Sequence, residues 1–448
     1  MRPIALLTLA VLACSPVLAA AAPMTADDAV NIALQKSGDI VRANASVLDA
    51  RSGLWSAYSR VMPSVSGDVQ RSGSFTREGT GSQVFGPIAT QPFTNFDDEA
   101  YRGSYGLSGS WSVFDPAAIV GLSAARAGMK AADLGHKASR ADVRLETKRR
   151  FYATVKAMHL ARVQARALKL ARDDERRVRA LFEVGSVSKS DLLKAQVRTA
   201  SAQLDSTLSD HDVVSTRLLL AAQLGIPEEQ LGEVDSTLTV EHATFDAAAV
   251  FSEAKTHRPD ILSAEASARA AELSLRSAHF SRLPFVSLDG SYTPNSVSSE
   301  KLFRTPARDT ADVSKFRSKY IYSGRVAVTL PIFDGFATDS RVAAARAQLL
   351  NAIETRDALL RNLEGEVHQT LLSYQEGTER EALARRAVES AAENMNLIQQ
   401  KYNVGSATIL DLIDAQVQLQ RSASELVSAL ADIKVAEAAV DRVRGQGD

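Results

Sequence analysis

The chain has 448 residues and a single cysteine, Cys14, so no intrachain disulfide framework is open to it, and no thiol active site once that cysteine is lipidated or removed with the N-terminal segment. Proline and glycine are scarce at 13 and 24 residues, and long stretches contain neither, which favours very long helices. No charge of one sign prevails: 52 basic against 53 acidic residues leave a net charge of -1 and no nucleic-acid footprint. Only 26 residues are aromatic, yet 16 of them fall in two windows, 63–115 and 281–336, a clustering that needs a local cause. The histidines (His136, His159, His211, His242, His257, His279 and His368) are scattered. There is no H-E-x-x-H pair, no P-loop and no dinucleotide fingerprint. No enzyme activity, metal or cofactor is therefore expected. The 45% apolar content would by itself suit an ordinary soluble core.

The N-terminus supplies a compartment. Arg2 is followed by an apolar run from Ile4 to Ala13 and then by small residues at 17–22. This is the form of a secretory signal, taken as residues 1–21, and the run is too short to span a bilayer. Val11-Leu12-Ala13-Cys14 is a rough lipobox, which leaves two readings. Cys14 is either lipidated at the mature N-terminus or discarded with the signal. The second is preferred, because the small residues at 17–22 offer a good alternative cleavage site.

One short turn occurs twice. Arg179 to Val197 reads RALFEVGSVSKSDLLKAQV, and Gln399 to Val417 reads QQKYNVGSATILDLIDAQV. A shift of 220 residues lays Val184-Gly185-Ser186 on Val404-Gly405-Ser406, Asp191 on Asp411, and Ala195-Gln196-Val197 on Ala415-Gln416-Val417. Each copy joins two long helical patterns, so the chain reads as a tandem duplication of helical hairpins. The first repeat spans 22–230, a connector 225–245, and the second repeat 246–448.

Within the first repeat, short helical patterns give way to period two. From Tyr101 to Val113, Tyr105, Leu107, Trp111 and Val113 share one face, and Ser104, Ser108, Ser110 and Ser112 share the other. Strands are expected at about 63–74 and 101–114, joined by a polar loop. Asp115 then caps a helix, with Pro116 at its first position. That helix runs over 116–182, about 100 Å at 1.5 Å per residue. The tip turn at 184–187 and a helix at 188–224 follow. The second repeat keeps this order, with strands at about 284–293 and 320–333. Phe333-Asp334 echoes Phe114-Asp115 before a helix over 337–402, a tip turn at 404–407 and a helix over 408–444. In the long helix Ile353, Leu360, Val367 and Tyr374 recur every seven residues, skip at Glu381, and resume at Val388, Met395 and Tyr402. Leu412, Leu419, Leu426, Ile433 and Val440 repeat the spacing. Sustained sevens mean coiled-coil contacts between neighbouring helices.

The strands argue against a plain soluble rod. Four strands, apolar on one face and serine-rich on the other, cannot remain an open sheet in a bilayer, where every edge amide would lack a partner. Their length suits an outer-membrane apolar band of about 25 Å when tilted. Four are too few for a pore, so several chains must close the barrel, and three would give twelve strands. A small soluble β-sandwich is the competing reading.

This double order, the Arg258-Pro259-Asp260 entry to a helix and the paired VGS…D-L-L/I…A-Q motifs resemble the TolC family of outer-membrane efflux channels over essentially the whole mature chain. The resemblance implies a homotrimer with a barrel in the outer-membrane lipid and a helical tunnel through the periplasm. It also implies a role as exit duct for an inner-membrane RND or ABC-type transporter reached through a periplasmic adaptor. The turns Val184-Gly185-Ser186 and Val404-Gly405-Ser406 would meet the adaptor, although glycine is also what ending a helix in a left-handed residue requires. The second tip would form the periplasmic aperture, narrowed by Asp411 and Asp414. For Asp411 a plainer reading stands beside the gate: Thr408 to Asp411, like Ser188 to Asp191, has the form of a capping box. Asp414 has no such alternative, because its counterpart is Lys194. Many relatives carry an arginine two residues after the glycine, and Ala407 stands there instead. A periplasmic coiled-coil adaptor, with one hairpin between β domains, and a self-sufficient porin, with many more strands, are the rival readings.

Overall fold

The computed structural model describes residues 23–77, 82–84, 90–92, 97–300 and 317–445. The signal segment, Cys14 and parts of the two loops between paired strands lie outside these residues. The helices are α1 (Ala26–Lys36), α2 (Gly38–Ser59), α3 (Pro116–Glu183), α4 (Lys189–Leu224), α5 (Ala247–His257), α6 (Pro259–Phe280), α7 (Ala337–Asn403) and α8 (Ile409–Arg444). The strands are β1 (Ser64–Arg77), the short pair β2 (Ser82–Val84) and β3 (Thr90–Pro92), β4 (Asp97–Phe114), β5 (Phe285–Glu300) and β6 (Arg317–Thr329). No described helix is long and apolar enough to cross a membrane.

The contacts divide the chain into two units. The first comprises Met1–Ser46, Asp133–Leu262 and Asp357–Asp448. In it each repeat builds its own core. Ala29 and Ala33 of α1 meet Phe151 and Val155 of α3, Leu220 and Leu224 of α4, and Leu231 and Val234 of the connector. Val250 and Ala254 of α5 meet Ile261, Leu363, Val367 and Val443 in the same manner. Both arrangements depend on a glycine at a helix C-terminus. Gly225 ends α4 at φ 69°, and a Cβ there would lie 2.5 Å from the carbonyl oxygen of Lys36 at the end of α1. Gly445 ends α8 at φ 72°, and a Cβ there would lie 2.8 Å from the carbonyl carbon of His257 at the end of α5. Left-handed backbone and backbone-to-backbone approach each call for glycine.

An ion-pair cluster adds to the second core. The Arg258 guanidinium is buried and donates to Asp260 (Nε to Oδ1, 3.0 Å; Nη2 to Oδ2, 2.6 Å) and to Glu366 Oε2 at 2.6 Å. Arg442 reaches the other oxygen of Glu366 at 2.5 Å and Asp142 at 3.0 Å. Burial alone would lower the pKa of Arg258, but its hydrogen bonds to Asp260 and Glu366 hold it well above its usual value. Glu381, the interruption in the sevenfold series, is buried all the same. Its carboxylate accepts from Arg385 Nε one turn on at 2.9 Å, and His242 of the connector stands 3.9 Å away. A satisfied carboxylate thus occupies a seam position that an apolar side chain holds elsewhere. The connector also packs Phe245 edge-on against Tyr374, whose hydroxyl accepts from Ala243 N at 2.9 Å.

The second unit comprises Val47–Ala132 and Ser263–Arg356. It holds one four-stranded antiparallel sheet in the order β1-β4-β5-β6, so strands of both repeats share it. The register places Ser66 beside Ser108, Ser108 beside Ser291, and Ser291 beside Ser323. Hydroxyl contacts of 2.8 Å (Ser66–Ser108) and 2.7 Å (Ser291–Ser323) tie that row. The alternate positions carry Val65, Leu107, Trp111, Leu288, Tyr322, Val326 and Val328, all exposed. Period two has therefore sorted hydroxyls to one face and exposed apolar groups to the other.

The two strand-to-helix junctions differ. Asp115 stands directly before α3 and accepts from Ala118 N at 3.0 Å. Asp334 stands three residues before α7 and accepts from Thr338 N at 2.8 Å across Gly335 and Phe336. Phe336 adopts φ 68°, the only positive value at a non-glycine among the described residues. Its ring meets Phe333 edge-on at 5.7 Å.

Candidate functional site at the helical tips

Both tips are built alike. In the first, Gly185 has φ 76°, its N–H bonds to Phe182 O at 2.9 Å, and Ser186 N bonds to Leu181 O at 2.8 Å. In the second, Gly405 has φ 77°, with Gly405 N to Tyr402 O at 3.0 Å and Ser406 N to Lys401 O at 2.9 Å. These paired bonds satisfy the last carbonyls of α3 and α7. Nothing surrounds either glycine, so backbone conformation alone calls for it. Val184 and Val404 project from the turns, 74% and 79% exposed, which leaves two valines with no packing role within the chain.

The starts of α4 and α8 differ in completeness. Thr408 Oγ1 accepts from Asp411 N at 3.2 Å, and Asp411 Oδ2 accepts in return from Thr408 N at 2.8 Å, a full capping box. At Ser188 only half is made: its Oγ accepts from Asp191 N at 3.2 Å and donates to Asp191 Oδ2 at 2.7 Å. Asp411 is held below the usual carboxylate range by the Thr408 hydroxyl and then by its amide. Asp191 is held low by the Ser188 hydroxyl, with help from Lys194 at 3.5 Å. At the position equivalent to Lys194, Asp414 is exposed and has neither a hydrogen bond nor an ion pair among the described residues. The first tip is thus charge-compensated, whereas the second presents two carboxylates three residues apart on one helix.

Below the turns lies a small apolar plug, with Val178, Ala195, Ile409 and Leu412 buried and Ile398 and Tyr402 packed against it. Beneath that, polar side chains join the helices. Gln416 Nε2 donates to Asp174 Oδ2 at 2.6 Å, and both residues are buried. Gln420 donates to Gln164 at 2.6 Å and accepts from Arg198 at 2.7 Å. Burial pushes the Asp174 carboxyl up, against the pull of Gln416 and of Arg177 at 4.0 Å. Burial and then the charge of Asp174 raise the Tyr402 phenol. Arg177 also reaches Asn403 Oδ1 at 3.4 Å, a link between α3 and α7 close to the turn where Ala407 offers no cation. Asp174 and Arg177 lie in a stretch of α3 crowded with charges of both signs, where nothing in the sequence distinguishes them. Gln416 was legible through its repeated Ala-Gln-Val motif.

A groove of about 710 Å³ opens between α4 and α8 at this end. Leu193, Val197, Leu410 and Ile413 form its apolar floor, and Lys189 and Lys194 flank it. Among the described residues no group of three or more His, Cys, Asp or Glu could hold a metal ion.

Comparison with known proteins fits this architecture. The chain is 22% identical over 348 residues to the outer membrane protein TolC of Vibrio cholerae, covering 75% of this chain and 76% of that one. It is 22% identical over 398 residues to the pyoverdine export outer membrane protein OpmQ of Pseudomonas putida, covering 88% and 80%. The crystal structure of the Campylobacter jejuni CmeC outer membrane channel superposes with a TM-score of 0.77 at 17% identity, over 94% of this chain and 86% of that one. That likeness establishes the channel-tunnel fold. The family model described as outer membrane efflux protein matches residues 29–226 and again 250–446, one segment for each repeat. The chain therefore belongs to the outer membrane efflux protein family.

Proposed function

We propose that three copies of this chain close their sheets into one twelve-stranded barrel in the outer membrane. The assembly acts as the passive exit duct of a tripartite efflux pump or type I secretion system. The observation that carries this reading is the four-stranded sheet whose outer strands, β1 and β6, have no further neighbour among the described residues. An edge with unpaired amides is not tolerated in lipid, and four strands enclose no pore. Copies of the chain supply the missing neighbours, with the exposed apolar face toward lipid and the serine face toward the lumen.

The helical tips are the docking end for a periplasmic adaptor, through Val184, Gly185, Ser186, Val404, Gly405 and Ser406. The apolar groove flanked by lysines supports contact with an amphipathic, acidic hairpin. The adaptor links the duct to an inner-membrane RND or ABC-type transporter, which supplies the energy and delivers small toxic molecules or proteins. Asp411 and Asp414 narrow the aperture, and three chains would bring six carboxylates around one axis, a ring that attracts cations.

Fractionation and gentle electrophoresis test the assembly. The mature protein is expected in the outer membrane and as a trimer in mild detergent. A soluble monomer would overturn the duct and favour a periplasmic coiled-coil scaffold.

A further inference from the structure

A cleft that none of the proposed transport steps uses lies between α1, α3 and α8. Its volume is about 330 Å³, at the lower end of the range for small-molecule sites. Its polar wall consists of Asp27 and Asn31 from α1, Arg144 and Lys148 from α3, and Asp441 and Arg442 from α8.

The charges in this cleft are incompletely paired. Arg442 is engaged by Asp142 and Glu366, and the neighbouring cations of α3, Arg149 and Arg150, both bond to Glu146. Arg144 and Lys148, one turn apart on one face, have neither a hydrogen bond nor an ion pair among the described residues. Asp441 is worse placed. It is half-buried, its carboxylate has no hydrogen-bond partner among the described residues, and burial raises its pKa. It also sits in the last turn of α8, where the helix dipole disfavours a negative charge. Lys148 on the facing helix, and then Arg444 on its own helix, are near enough to offset part of that burial, yet neither makes an ion pair with it.

Duplication does not account for the set. Aligned on the N-caps Thr25 and Asp246, Asp27 and Asn31 correspond to Ala248 and Ser252. Asp441 corresponds to the buried Ala221. On the same shift of 220 residues Arg144 and Lys148 correspond to Glu364 and His368, so neither the carboxylates nor the cations of this cleft recur at the sister positions.

Two cations on one wall and an unpartnered carboxylate on another are complementary to a ligand that carries both signs close together. A simple anion would meet Asp441 and Asp27, and a simple cation would meet Arg144 and Lys148. We propose that this cleft binds an α-amino-acid zwitterion, its carboxylate on Arg144 and Lys148 and its ammonium on Asp441. The site is separate from the tips and does not require the duct reading.

The detergent-solubilised full-length protein can be dialysed against an equimolar mixture of the twenty amino acids, and each retained species quantified. At least one amino acid is expected to bind saturably at one per chain. Calorimetry should then show acetate and ethylammonium, which carry one charge each, binding at least tenfold more weakly. Arg144→Gln and Asp441→Asn should each weaken the amino acid at least tenfold. Asp441→Asn removes a carboxylate that is unfavourable in the empty protein, so this variant should melt no lower than the parent. A tripeptide ending in the retained amino acid separates the two sources of the zwitterion. Binding of the free form alone indicates a soluble amino acid, and binding of both extends the site to peptide ends. No saturable retention, acetate binding as tightly as the amino acid, or affinity unchanged in both variants would overturn the proposal.

Discussion

Gln416 Nε2 donates to Asp174 Oδ2 at 2.6 Å, joining α8 to α3 through two buried polar side chains just below the second tip. Removing the donor strands a buried carboxylate, which costs about 1–3 kcal/mol. Gln416→Ala should therefore lower the melting temperature, whereas Asp174→Asn, whose amide oxygen still accepts, should not. The folded-state pKa of Asp174 is raised by burial, so its contribution is fully present below the unfolded value of about 3.9 and fades as pH rises through the folded one. Asp174→Asn should accordingly be more stable relative to the parent at pH 7 than at pH 4. A pH-independent difference in melting would refute this assignment.

Asp414 and Lys194 hold equivalent positions with opposite charge. Asp414→Asn should reduce cation selectivity in planar bilayers clearly more than Asp191→Asn, because Asp191 is already compensated by Lys194 at 3.5 Å. Equal, negligible effects would remove Asp414 from the aperture.

The full capping box at Thr408 and the half-made one at Ser188 should differ in hydrogen exchange. Thr408→Ala loses a full box and should cost about 1 kcal/mol of local helix stability, read as faster hydrogen exchange in the first turn of α8. Ser188→Ala should cost less. The pKa of Asp411 is depressed, so its support of the cap is present above about pH 4 and is lost as pH falls through the folded value. Exchange in that turn should therefore accelerate in acid relative to the helix middle.

Arg258 serves two carboxylates from a buried position. Arg258→Ala leaves Asp260 without its ion-pair partner and should destabilise the protein by about 3–5 kcal/mol. Arg258→Lys should recover only part of this, since an ammonium cannot make the forked contact with Asp260. Full recovery by lysine would mean that charge, not geometry, holds the helices there.

Gly225→Ala and Gly445→Ala should each lower the melting temperature. Left-handed backbone at a non-glycine costs about 1–2 kcal/mol, and the added methyl would meet the backbone of Lys36 or His257. The tip variants Gly185→Ala and Gly405→Ala carry only the conformational cost and should be milder. A tip effect as large as that at Gly445 would count against the close-approach argument.

Much of this molecule could be read from one strand of text, and the places where it could not are instructive. Alternation around Leu107 and Trp111 and the sevenfold series through Val367 and Tyr374 are periodic signals, and periodicity dictates which face of an element is apolar. Glu381 looked like a gap in that series, yet it is buried, because Arg385 one turn on supplies a charge that hydropathy cannot register. Phe333-Asp334 looked like a copy of Phe114-Asp115, but Gly335 and Phe336 insert a left-handed step before α7. Asp174 carried no signal at all, since an aspartate among the arginines of a long helix reads as solvated surface.

By itself the sequence determined the duplication, the long helices with their glycine-ended tips, and the two-faced strands. Each follows from local conformational preference or from a repeat along the chain. Only the tertiary structure decided that Asp174 lies under Gln416, and that Asp441 and Lys148 face one cleft without bonding. It also decided that strands of both repeats share one sheet. Those pairings join residues up to hundreds of positions apart, and what brings them together is the packing of whole helices and strands, which no local pattern encodes.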